Sequence, residues 1–156
     1  MHGGVVARAL LWAGVDVYAF VRDPETEKAK ALKRDGARLL VGNLDDRASI
    51  GRALAGKDSC YAVTTPFEGG PQQEVRQGAN MIAAAEEANL PWFILASVAS
   101  ARDADVPHFA SKAQIERALE GAGLAWTILA PSYFYENVLS LRAAVQAGSL
   151  PLALPP

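Results

Sequence analysis

Gly3 and Gly4, Arg22, Ser97, and the pair His108 and Lys112 are the residues of this 156-residue chain whose chemistry the remaining sequence has to position. The two glycines stand immediately before a helical pattern. Backbone N–H groups at such a place are uncovered by side chains, and a helix N-terminus adds a partial positive charge, so the combination suits an anion. The same pair serves equally as an ordinary N-terminal cap. Arg22 closes an extended segment roughly 20 residues after the glycines, the interval at which a dinucleotide-binding unit places an acid on a ribose hydroxyl. A guanidinium there grips a phosphate with two parallel hydrogen bonds, which points to a 2′-phosphorylated dinucleotide. An exposed cation at a strand end is the plainer alternative.

A histidine side chain can donate a proton near neutral pH, a role open to His108, or it can cap the helix that Pro107 introduces. Lys112 carries a charge on that helix, one turn before Glu116, with which it can pair. Ser97 ends an apolar strand, where it can align a carbonyl or simply terminate the strand. Only two histidines, His2 and His108, exist, and no Cys/His cluster has metal-ligand spacing, so no metal cluster is expected. The G-x-S-x-G pattern of serine hydrolases is absent.

Composition narrows the class. The chain is 51% hydrophobic with a formal net charge of −2, which gives no electrostatic case for nucleic acid or an anionic membrane. Lys28, Lys30, Lys33 and Arg34 share their helix with Glu25 and Glu27 and read as a solvated face. One cysteine excludes an intrachain disulfide, and Cys60 among Tyr61, Ala62 and Val63 reads as a buried thiol in a reducing cytoplasm. No apolar run approaches the roughly 20 residues of a membrane span, and no secretory leader pattern opens the chain.

The elements that must hold these groups alternate. Val6, Ala7, Leu10 and Leu11 form a helical stripe closed by Gly14, and residues 16–21 form a strand. Asp23-Pro24 predicts the start of a helix running to about 35, followed by a strand at 37–41. Asp45 or Asp46 caps the next helix, with Ile50, Ala53 and Leu54 inward, and residues 59–64 form a strand. A glycine-proline loop leads to a helix over 72–89 whose stripe includes Val75, Ala79, Ile82 and Ala83. Apolar strands at 92–97 and 126–129 flank a helix over 109–119, and a last helix covers 135–147. Short apolar strands alternating with helices predict one domain over 1–156, a Rossmann-like, doubly wound α/β fold around a parallel sheet.

The segments VARALLWAG, FVRDP, Gly42-Asn43, EVRQGANMI, HFASKAQIERAL and PSYFYENVLS resemble, in order and spacing, the NmrA-like family of atypical short-chain dehydrogenase/reductase relatives that bind NADP(H). The likeness covers nearly the whole chain, and EVRQG, HFxSK and YF…EN are similar to its NADPH-sensing, redox-sensor branch. The family's opening turn reads G-x-x-G-x-x-G-G, and Met1-His2-Gly3-Gly4 fits its last four positions. The expectation that follows is a unit lacking its first strand, with about a dozen upstream residues missing and a substrate-covering part absent after residue 156.

The resemblance also implies site roles. Gly3, Gly4 and Arg22 would meet the phosphates, and Asn43 and Leu44 the adenine, although the family often has Asp at the first of that pair. Thr64, Thr65 and Pro66 would form a wall beside ribose and nicotinamide, Ser97 would lie at the site, and Pro131, Ser132, Tyr133 and Phe134 would lie near the nicotinamide. Ala130 replaces an arginine common before that proline. Lys112 matches the lysine that short-chain reductases use on the nicotinamide ribose. The tyrosine four positions earlier is replaced by His108, so the usual proton relay is missing and catalysis would fall to His108 and Lys112. The expected function is an NADP(H)-binding regulatory or redox-sensing module meeting a protein partner or a second copy of itself. The alternative is an NADPH-dependent reductase of a quinone or other small carbonyl compound.

Overall fold

The computed structural model describes residues 2–102, 107–132, 134, 139 and 141–149, with the backbone alone at 107 and 108. Helix α1 (His2–Trp12) leads into β1 (Tyr18–Val21), α2 (Glu27–Arg34), β2 (Arg38–Val41), α3 (Arg47–Leu54) and β3 (Ser59–Val63). Then come α4 (Gly70–Glu87), β4 (Trp92–Ala96), α5 (Pro107–Glu120), β5 (Trp126–Leu129) and α6 (Arg142–Gln146).

All strand pairing among the described residues is parallel. β1 pairs with β2, Tyr18 opposite Arg38, and β3, β4 and β5 form a second sheet in that order. In that sheet Phe93 stands opposite Cys60 on one side and Trp126 on the other. The fold is the expected Rossmann-like α/β class, but its strands make two sheets instead of one continuous layer, with β1 and β3 unpaired to each other. Helices link them: α1 reaches both α2 and β3, and α3 packs on α4, which packs on α5.

Helix starts follow local chemistry. Asp46 caps α3, its carboxylate accepting from Ala48 N at 3.0 Å and Ser49 N at 3.2 Å. For α2 the expected Asp23 start is corrected. Asp23 Oδ1 closes a tight turn by accepting from Glu25 N at 2.8 Å, and Thr26 caps the helix by accepting from Ala29 N at 3.3 Å. The aspartate found a nearer amide, the usual competition of short polar side chains. The last helix is α6 among the described residues, and the part expected at 135–138 lies outside them. No described helix is long and apolar enough to cross a membrane.

The core is built on Phe93 and Leu95 of β4 with Met81, Ile82, Ala84 and Ala85 of α4 and Ile115 and Leu119 of α5. The stripe expected on α4 is turned. Glu74 and Gly78 are buried while Ala79 is exposed and Val75 half-covered. Gly78 explains the rotation: a Cβ added there would lie 2.6 Å from Ile115 Cγ1, so the close approach of α4 and α5 requires glycine at the contact. On α1, Ala7 of the expected stripe is buried, whereas Leu10 is exposed.

Cys60 is half-buried as a residue and packs against this core, and its thiol is the desolvated part, which pushes it up to about 11. At pH 8 about a thousandth of it is thiolate, the reactive form. Alkylation of the folded protein by iodoacetamide at pH 8 is therefore expected to run at least about 100-fold slower than that of a free cysteine with its usual pKa of about 8.5. A rate near the free-thiol value would show the thiol to be exposed.

Candidate functional site

Parallel strands end on the same side, and that side gathers most of the predicted residues. Arg22 follows β1, Asn43 follows β2, Thr64 follows β3, Ser97 follows β4, and Pro131 lies two positions past β5. The start of α1 joins them from the helix side: His2 hydrogen-bonds the Tyr61 hydroxyl, and Gly3 lies against Val63 at the end of β3. Ligands of open α/β sheets bind outside these strand ends, and this end is where a dinucleotide belongs.

Gly3 and Gly4 lie within the first turn of α1 (His2–Trp12), so the helix includes the two glycines that the sequence pattern placed before it. Their N–H groups are among the first four of the helix and have no partner within it. A Cβ at Gly3 would sit 3.6 Å from Val63 Cγ1, an ordinary contact, so space alone does not demand glycine there. The Phe134 ring lies 4.8 Å from that of His2, tilted by 44°, and stays partly exposed, an apolar surface beside this turn. Tyr133 and the His108 side chain lie outside the described residues, whereas Ser132 is exposed and the Pro131 carbonyl accepts from Ala99 N at 3.0 Å.

Arg22 is largely exposed and is engaged on both prongs. Its Nη1 lies 2.7 Å from Glu68 Oε2, and Nη2 donates to Glu68 Oε1 at 3.0 Å. That carboxylate raises the guanidinium further above its ordinary pKa, hydrogen bonding first and charge second. Asp45 adds a weaker field and is itself held by Gln73 and Gln77, whose amides, Gln77 foremost, keep its carboxyl below the ordinary range. Asn43 Oδ1 accepts from Asp45 N at 3.0 Å, and the Leu44 carbonyl accepts from Asn80 Nδ2 at 2.9 Å. Leu44 is thus held from α4, while Asn43 is held by its own turn and by α3, its N–H donating to Ser49 Oγ at 3.1 Å. Thr65 Oγ1 accepts from Phe67 N at 3.4 Å, and the Pro66 carbonyl accepts from Gly70 N at 2.9 Å.

The two groups that a short-chain reductase would aim at its substrate are buried and tied down. Lys112 Nζ donates to the Thr64 carbonyl at 2.8 Å and to Thr64 Oγ1 at 3.0 Å, and lies 2.9 Å from Glu74 Oε1. An ammonium has three donors, and these partners account for all of them. Glu74, wholly buried, also accepts from Thr64 Oγ1 at 2.9 Å and from Ser111 Oγ. Lys112 therefore pairs with α4 and not with Glu116 one turn along its own helix. Glu116 instead accepts from Ser97 Oγ, and from Arg102 Nε at 2.9 Å, with Arg102 reaching on to Glu120. Among the described residues no buried side-chain polar atom lacks a partner.

Glu68 and Glu74 are what reading the sequence missed, and Glu116, expected to pair with Lys112, holds Ser97 and Arg102 instead. For Glu74 a signal existed: it shares a helical face with Gly78, Ile82 and Ala85. For Glu68 there was none. A surface depression lies elsewhere, beside Leu90, Pro91, Leu124 and Ala125 at the opposite ends of the strands, and none of the site residues lines it. No described cluster of His, Cys, Asp or Glu could hold a metal ion.

The chain matches known proteins along its length. The model of the NmrA-like family matches residues 1–156. The NAD(P)H azoreductase of Xenophilus azovorans is 29% identical over 145 residues, covering 92% of this chain and 49% of that protein. An NADPH-dependent quinone oxidoreductase of Escherichia coli, solved with NADPH, superposes with a TM-score of 0.77 at 24% identity over 94% of this chain and 50% of its own. A Citrobacter sp. triphenylmethane reductase complexed with NADP(H) gives a TM-score of 0.77 at 23% identity, over 93% of this chain and 51% of its own. These two solved structures carry the fold. The chain spans about half the length of each of these three proteins.

Proposed function

We propose that the chain, which belongs to the NmrA-like family, forms the dinucleotide-binding part of an NADP(H)-dependent reductase of a small electron acceptor such as a quinone or azo compound, working in the cytoplasm. The observation that carries this reading is the convergence of Arg22, Asn43, Thr64 and the start of α1 at one end of parallel strands. The relatives' names, an NAD(P)H azoreductase and an NADPH-dependent quinone oxidoreductase, support the reaction class.

The residues present fit an anionic dinucleotide. The amides of Gly3 and Gly4 and the α1 terminus would take the pyrophosphate. Arg22 would take the 2′-phosphate, and Asn43 and Leu44 the adenine. Thr64, Thr65, Pro66 and the Phe134 ring would flank the nicotinamide end. NADPH, when bound, supplies a hydride. The protein's part is position and dryness: Lys112 braces the Thr64 carbonyl so that the β3 terminus stays fixed, and Phe134 covers one side. With Ser97 and Lys112 consumed by carboxylates, a quinone reduced to hydroquinone would draw its proton from water or from His108. Acceptors that need strong acid catalysis are poor candidates.

A second reading, regulation or redox sensing through a partner or a second copy of the chain, is favoured by that same engagement of Ser97 and Lys112. Titration with NADPH and NADH, turnover of a quinone panel, and association state with and without nucleotide separate the two. The expected result is tighter binding of NADPH than of NADH, with quinone turnover. Equal affinities would remove the NADP(H) assignment, and cofactor-dependent association without turnover would leave the sensor.

A further inference from the structure

We propose that Glu68 is a specificity-determining residue, a built-in competitor that occupies the Arg22 guanidinium until a phosphate displaces it; the inference rests on reading Arg22 as the 2′-phosphate contact. Glu68 meets Arg22 at 2.7 and 3.0 Å, one carboxylate oxygen to each terminal nitrogen. A phosphate offers a guanidinium the same two-pronged geometry. Glu68 therefore stands in the position of the anion, and the two cannot both be held.

The pair is a strap between distant parts of the chain. Arg22 follows a strand of one sheet, Glu68 lies in the loop after β3 of the other, and the contact spans 46 positions. Just past that loop residue, Gly70 has φ of +79°, a left-handed conformation that favours glycine, so the strap ends at a turn made by glycine. Asp45 differs: fixed by Gln73 at 2.8 Å and Gln77 at 3.1 Å, it lends Arg22 a distant field without taking its donors.

The two nucleotides meet this strap differently. A dianionic 2′-phosphate takes the guanidinium and repels the Glu68 carboxylate, so its binding includes the work of opening the pair. An uncharged ribose 2′-hydroxyl leaves the pair closed and can donate to the carboxylate, the contact that an acid makes in NAD-binding proteins. Glu68 thus lowers affinity for the phosphorylated cofactor and tolerates the other.

The test compares the chain with its Glu68→Gln and Arg22→Ala variants by titration with NADPH and with NADH at low salt. Both positions are exposed, so all three proteins are expected to fold. Glu68→Gln should tighten NADPH about three- to tenfold, the scale of one exposed ion pair and a like-charge repulsion, while NADH stays unchanged or weakens. The gain should shrink as salt rises. Arg22→Ala weakening NADPH while Glu68→Gln leaves the NADPH-to-NADH preference unchanged or lowers it would overturn the proposal alone. Arg22→Ala leaving NADPH binding unchanged would overturn both the proposal and the reading beneath it.

Discussion

Replacing Lys112 with methionine is expected to lower folding stability by about 3–5 kcal/mol, a large share of the roughly 5–15 kcal/mol that holds a domain together. Methionine preserves most of the stem's volume, so the loss isolates the charge. Glu74 has no exposure and, among the described residues, would keep only the Thr64 and Ser111 hydroxyls as donors. A buried carboxylate stripped of its cation is the costly half of a broken ion pair. At about 2–4 °C per kcal/mol for a chain of this size, the midpoint of thermal unfolding should fall by roughly 6–20 °C. Adding Glu74→Gln to the variant removes the orphaned charge and should restore at least half of the stability. A loss below about 1 kcal/mol for Lys112→Met would mean that the buried cluster is not held together by charge.

The second large effect concerns binding. Arg22→Ala is expected to weaken NADPH by about 1–3 kcal/mol, the scale of a charge-assisted hydrogen-bonded contact, which is roughly 5- to 150-fold in affinity at about 1.4 kcal/mol per tenfold. NADH should barely respond, because it has no 2′-phosphate to lose. Stability should barely respond either, since the Arg22–Glu68 pair is exposed on both sides and such pairs contribute little. Isothermal titration of both nucleotides, paired with thermal unfolding, reads the two consequences separately. Parallel weakening of NADPH and NADH would assign Arg22 a part other than phosphate recognition.

Together these variants separate two layers of the site. Lys112, Thr64, Ser111 and Glu74 form its buried support, joining β3, α4 and α5, and their loss should be felt first as unfolding. Arg22 and Glu68 form its exposed edge, and their loss should be felt as altered affinity in a protein that still folds.

The sequence by itself determined the order and type of the elements, their parallel class and the strand ends on which the site residues stand. Those follow from local rules: apolar runs such as WFILA and WTIL, a cap at Asp46, and glycine stops after helices. They act within a few residues, so a linear reading finds them. It also placed Arg22 at a strand terminus, because that depends only on where a strand stops. Only the tertiary structure decided what these groups touch. Glu74 was passed over because an isolated carboxylate reads as surface, and burial is tolerable here only because Lys112 lies 38 positions further along the chain. The same holds for Ser97 on Glu116, for Arg22 on Glu68, and for α4, whose inward face was set by Gly78 fitting against Ile115. The parting of the strands into two sheets is likewise a matter of which strands meet. Pairing partners far apart in the chain are chosen by packing and by the need to neutralise buried charge, and neither leaves a periodic mark in the sequence.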